Sequence, residues 1–176
     1  MPSVPLTYVI GTVGLLVILG IVSLISTTQG ISLQGQSMQS SLADASQYVS
    51  NEISSLVATI PAGQTGTIYF KLILPSEVNL RGYAINLSYR ANLWQVVAYV
   101  PNNPSLLAST PLAFQPGTKY SGQGFCIYIA GSNSANCPAP PKSVNALPQI
   151  YSGDSRAIVW AVISNQSIVL GIGDMS

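Results

Sequence analysis

The period of apolar and polar positions changes twice along this chain. Residues 8–25 read Tyr-Val-Ile-Gly-Thr-Val-Gly-Leu-Leu-Val-Ile-Leu-Gly-Ile-Val-Ser-Leu-Ile, and no charged residue precedes Asp44. Eighteen residues of helix span roughly 27 Å, close to the bilayer's hydrocarbon thickness of about 30 Å. The pattern predicts a helix that is apolar all round and needs lipid, or protein equally apolar, on every side. Polar residues then enter, while Met38, Leu42, Ala45, Val49, Ile53, Leu56 and Ile60 recur at spacings of 3 and 4. That is one apolar face of an amphipathic helix. Asp44, Glu52 and Ser, Gln and Asn residues fill the opposite face. Pro61 disfavours helix in the residue before it and supplies a stop. Gly30 and Gly35 each weaken the helix by about 1 kcal/mol relative to Ala and mark a candidate bend. If continuous, residues 6–60 make a rod of roughly 80 Å.

After Gly63 the period falls to 2. Residues 67–74 form a β-rich run closed by Pro75, and residues 80–90 alternate with Tyr83, Ile85, Leu87 and Tyr89 on one face. Residues 93–100 follow and stop at Pro101-Asn102-Asn103-Pro104. Pro116-Gly117 is a turn signal, 125–130 a short strand, and 131–149 a Gly/Ser/Asn/Ala/Pro-rich surface loop. Residues 157–163 and 167–171 make a last hairpin about Asn165-Gln166. Short strands with turns at this spacing predict an antiparallel sandwich or small barrel. The expected fold class is α+β: a long N-terminal hydrophobic α-helix followed by an antiparallel, β-sandwich-like (Ig-like) head. The domains are 1–60, divided into an apolar 1–28 and an amphipathic 29–60 that packs on the head, and 64–176.

Composition narrows the functional classes. Charged residues are 6% of the chain, with six basic and five acidic side chains. No strong field exists to steer nucleic acid or an acidic substrate, and near-neutrality suits a chain that associates. The segment before residue 8 carries no Lys or Arg, which argues against a secretory signal peptide. A permanent anchor would take its orientation from basic residues near the helix ends, and the first is Lys71.

Catalytic chemistry is nearly absent. There is no His, and Asp44, Glu52, Glu77, Asp154 and Asp174 share no pairing motif. Gly122-Gln123-Gly124 lacks the rest of a phosphate loop, and two cysteines alone do not make a structural zinc site. The expectation is no enzyme, no cofactor and no metal.

The apolar run leading unbroken into an amphipathic helix, then an all-β head rich in Tyr, Ser and Thr, resembles the archaeal type IV pilins and the related archaellins. The phrase Tyr69-Phe70-Lys71-Leu72-Ile73-Leu74-Pro75-Ser76-Glu77-Val78 is similar to the first strand and Pro-turn of such heads. The resemblance covers the whole chain by layout, without a sharp motif. Position 5 is Pro, where bacterial pilins carry a Glu, and Met1 is read as lying at or near a processed N-terminus or behind an atypical leader. The resemblance implies a major pilin that polymerises into a cell-surface filament for attachment. A prepilin peptidase and an assembly machine are its partners during biogenesis, with the membrane before assembly and further copies of itself after. Residues Gly11, Gly14, Leu15, Leu16, Ile18, Leu19, Gly20 and Val22 would lie in the filament core, the glycines allowing close backbone approach.

An exported head meets an oxidising environment, so Cys126 and Cys137 are read as a disulfide worth about 3 kcal/mol; two separate buried thiols are the alternative. Asn86-Leu87-Ser88 and Asn165-Gln166-Ser167 are glycosylation sequons or, equally, ordinary polar positions. Two other functions stay open. One is an archaellum filament or stator-type component. The other is a membrane-anchored extracellular binding module, with Trp94, Tyr99, Tyr120 and Tyr151 as candidate site residues. Trp94 and Trp160 also fit a core.

Overall fold

The computed structural model describes residues 3–60, 65–115, 119–120, 123–131, 137, 140, 142–164 and 167–175. The chain divides into two units, Met1–Ser37 and Met38–Ser176. Helix α1 covers Ser3–Ala58. Among the described residues ten strands follow: β1 Gly66–Lys71, β2 Ala84–Arg90, β3 Leu93–Val100, β4 Asn103–Pro111, β5 Lys119–Tyr120, β6 Gln123–Ile127, β7 Val144–Ala146, β8 Gln149–Tyr151, β9 Ala157–Ile163 and β10 Ser167–Met175. One sheet has the order β1-β9-β10-β6-β5, with β7 also on β10; the other has the order β4-β3-β2-β8.

The expected fold class does not stand as read. Among the described residues no helix is long and apolar enough to cross a membrane. The sheets also depart from an antiparallel Ig-like sandwich, because β10 pairs β6 in parallel from Ser167 to Leu170. Farther along the same edge, β10 pairs antiparallel with β7 from Gly173 to Met175. The 39 residues between β6 and β10 return the chain in the same direction, which a meander of hairpins does not do.

In the unit Met38–Ser176 the seven apolar residues of the helical stripe are all buried, Met38 at 6% exposure and Leu42, Val49 and Leu56 at 0%. They share one core with Ile85, Leu87, Val96 and Ala98 of the second sheet and Val159, Ala161, Ile168 and Leu170 of the first. Hydroxyls on the same side of the helix are satisfied across the seam. Ser46 Oγ shares a hydrogen bond with Thr110 Oγ1 at 2.8 Å, and Ser50 Oγ donates to the Pro111 carbonyl at 3.2 Å. The helix ends where Ile60 N–H bonds back to the Val57 carbonyl at 3.1 Å and Thr59 Oγ1 donates to the Leu56 carbonyl.

Strands β9 and β10, central in the first sheet, are buried on both faces, whereas the edge strand β1 is largely exposed. The sheet's outer face carries Ile158, Trp160 and Val169 beneath Val144, Tyr128, Cys126 and Cys137. Trp160 lies against its own cross-strand partner, Gly171. A Cβ on Gly171 would stand 2.3 Å from Trp160 Cζ2, so only glycine leaves room for the indole. This double burial explains why β9 reads as a continuous apolar run rather than an alternation.

Tyr83 is 1% exposed, and its hydroxyl has no hydrogen-bond partner among the described residues. Burial pushes its pKa from 10 up to about 12. The folded state therefore favours the neutral phenol, and this contribution is intact below pH 10 and is lost as pH rises toward 12. The urea midpoint is expected to fall between about pH 10 and 12. Tyr83→Phe should flatten much of that fall and keep or slightly raise stability at pH 7, because it removes an unpaired buried hydroxyl. An unchanged alkaline profile in the variant would refute this assignment.

Candidate functional site

The site is built from an amino-acid segment that its own unit leaves uncovered. Within α1, ten aliphatic side chains between positions 13 and 25 are 49–69% exposed, with Leu16 at 67% and Leu24 at 69%. Leu15, Leu16, Ile18, Leu19 and Val22 are among them. Leu, Ile and Val carry the segment as helix because each backbone group bonds within it. At the end of this segment the Thr27 hydroxyl turns back on the helix, Oγ1 donating to the Ser23 carbonyl at 2.8 Å. A Cβ added at Gly11, Gly14 or Gly20 would meet nothing within 4 Å, so no contact inside the chain requires glycine there. Exposed apolar surface of this continuity is rare on a monomer and marks a contact surface.

Cys126 and Cys137 form a disulfide, with Cα atoms 5.7 Å apart. The bridge links β6 to Cys137 across a sequence separation of 11, a loop short enough to stabilise by about 3 kcal/mol. Both half-cystines lie over the outer cluster around Trp160, so the bridge also holds the cover of that cluster in place.

Of the two sequons, Asn165 lies outside the described residues. Asn86 sits on an interior strand between Val97 and Gln149, with its Oδ1 buried and without a partner among the described residues. The aromatic candidates are only partly brought together. Tyr99 and Tyr151 flank Ala84 on one rung of the second sheet. The Tyr99 hydroxyl donates to Gln149 Oε1, and Gln149 Nε2 donates to the Tyr151 hydroxyl. Trp94 is half-buried against Tyr89, ring centroids 5.1 Å apart, and Trp160 is fully buried. The side chain of Tyr120 lies outside the described residues.

The carboxylates are dispersed. Asp174 is 8% exposed and pairs with Arg156 at 3.3 Å. Asp154 accepts the Arg156 backbone N–H at 2.9 Å. Among the described residues no three His, Cys, Asp or Glu side chains are grouped to hold a metal.

Two turns carry no signal in the hydrophobic periodicity. Asn79 and Leu80 have φ of 49° and 62°, and Ala91 and Asn92 have φ of 51° and 63°. Asn at 79 and 92 was the one available hint, since Asn tolerates this conformation better than other non-glycine residues. Compared with known proteins, the chain matches no family model, no curated protein and no solved structure.

Proposed function

We propose that this chain is a structural subunit, a pilin-like protein that polymerises through its N-terminal helix into an extracellular filament used for surface attachment. One observation carries the reading: the uncharged, aliphatic stretch between positions 13 and 25, which its own unit leaves uncovered. Each Leu, Ile or Val there gains about 1.5–3 kcal/mol on leaving water. Parallel helices of further copies offer an equally apolar surrounding, and glycines 11, 14 and 20 admit close backbone approach between them. A disulfide-stapled head suits an oxidising exterior. Further copies are the principal partners, with a prepilin peptidase and an assembly machine acting during biogenesis. No catalytic or cofactor role is part of the proposal.

The test is electron microscopy of filaments sheared from producing cells, with mass spectrometry of their subunit. Filaments containing this chain as the dominant component support the reading. Sheared fractions free of it, with the chain recovered only as a monomer, overturn it.

A further inference from the structure

The unit Met38–Ser176 carries two surface features at opposite ends of β2. The first is a groove of about 470 Å³ between the helix and the segment after β1. Its floor and walls include Ala45, Tyr48, Ile73 and Pro75, and its lining holds two carboxylates, Asp44 and Glu77, and no cation. Tyr48 is held in place by a hydrogen bond from the Ile73 backbone N–H to its hydroxyl at 3.3 Å. Ile73 is 79% exposed, an apolar side chain offered to something outside its own unit.

The second feature is the tip of the β2–β3 hairpin. Leu93, 43% exposed, is the cross-strand partner of an exposed Arg90, and Tyr89, 48% exposed, lies on the other face of the hairpin. The Tyr89 ring packs on Trp94. The two turn residues, Ala91 and Asn92, both take positive φ, the form that matches hairpin twist. Alanine there lacks the freedom of the glycine or asparagine this turn favours, and strain of this kind of order 1 kcal/mol concentrates where a surface has a task. The tip is thus a rigid, basic, partly apolar knob.

Chain connectivity fixes the separation of knob and groove. The groove segment closes on itself through the Val78–Arg81 bridge and leads through Tyr83 into the first residue of β2. The knob begins at the last residue of β2, Arg90, so the two lie a strand's length apart, about 20 Å at 3.3 Å per residue. A knob at one end and a groove of opposite charge at the other cannot satisfy each other within one copy. They are the two halves of a head-to-tail contact, which propagates into an open polymer instead of closing into a dimer.

We propose that the hairpin tip of one copy docks in the acidic groove of a second copy, placing Arg90 between Asp44 and Glu77, with Leu93, its cross-strand partner on the same face, against the groove's apolar wall. This rests on the filament reading and adds to it a contact between heads. Complementary charge sets its register and its choice of partner.

Full-length chains carrying Arg90→Cys are mixed with full-length chains carrying Glu77→Cys under mild oxidation. Mixing Arg90→Cys with Ser88→Cys serves as the control. A cross-linked heterodimer at least tenfold above the control is expected. In parallel, Arg90→Glu should raise the concentration needed for sedimentable polymer at least tenfold, and Arg90→Glu combined with Glu77→Arg should bring it back to within about threefold of wild type. Melting curves of each variant confirm a folded head. Cross-linking no higher than in the control, or charge reversal with no effect or no rescue, overturns the contact while leaving polymerisation through the helix standing. Cross-linking together with polymer that Leu16→Lys leaves intact overturns polymerisation through the helix and leaves the contact standing.

Discussion

Full-length chain carrying Leu16→Lys is expected to stay unpolymerised at concentrations where the wild-type chain forms filaments. Leu16 is 67% exposed in the single chain and lies amid a run with no charged residue before Asp44. In a bundle of such helices the ammonium would have no carboxylate to meet. A lysine at the centre of an apolar span costs about 3 kcal/mol on insertion scales, which corresponds to roughly a hundredfold in the concentration needed for assembly. Leu33, also exposed at 65%, lies beyond the aliphatic run, and Leu33→Lys should have a much smaller effect. The readout is the sedimentable fraction across a concentration series, with the melting temperature of the head as the folding control. Wild-type assembly by Leu16→Lys would place this helix outside any filament core.

The second large effect is expected at Gly171. Gly171→Ala puts a methyl 2.3 Å from Trp160 Cζ2 and 2.7 Å from Cε2. The indole has nowhere to move, because Trp160 is 0% exposed and its cluster is packed under Tyr128 and the two half-cystines. Overpacking of this kind costs about 1–3 kcal/mol, and the head's melting temperature should drop by roughly 5–10 °C. Trp160→Leu should be destabilising alone through its cavity, yet Gly171→Ala combined with it should cost less than the two separate losses together. Strict additivity would mean that the two residues do not meet.

Individual elements of this fold are legible in the sequence, although the expected fold class is not the one found. The stripe from Met38 to Ile60 is buried at every one of its positions, because the 3.6-residue period is a direct consequence of helix geometry. Strands β3 and β9 have the bounds expected from their runs of Val, Ala, Ile and Trp between turn residues. Other elements were hidden for identifiable reasons. Strand β4 begins inside Asn103-Pro104, which reads as turn, and its backbone still pairs with β3 up to Pro111. Strands β7 and β8 are three residues each, too short for a period to appear, and β7 falls in a stretch read as loop. The alternation of residues 80–90 runs through a left-handed turn at Asn79 and Leu80, so β2 starts only at Ala84. The parallel pairing of β6 with β10 joins residues some 43 positions apart, and local pattern carries no record of it. At the site, the apolar run and the cysteine pair were legible from composition and spacing. The groove and the hairpin knob were not, since each depends on which end of a strand a turn occupies.

The place of β10 in the first sheet has a consequence for the order in which the head can form. β1 and β9 lie on one side of it, and β6, β5 and β7 on the other. Before β10 is available, the two groups have no shared strand, and the outer cluster around Trp160 lacks Val169 and the floor supplied by Gly171. The head therefore cannot mature progressively from its first strand onward. Joining the two groups takes pairings distant in sequence, the kind of contact that sets a slow pace. Until then the chain presents open strand edges, a state in which protection from wrong partners matters more than intrinsic stability.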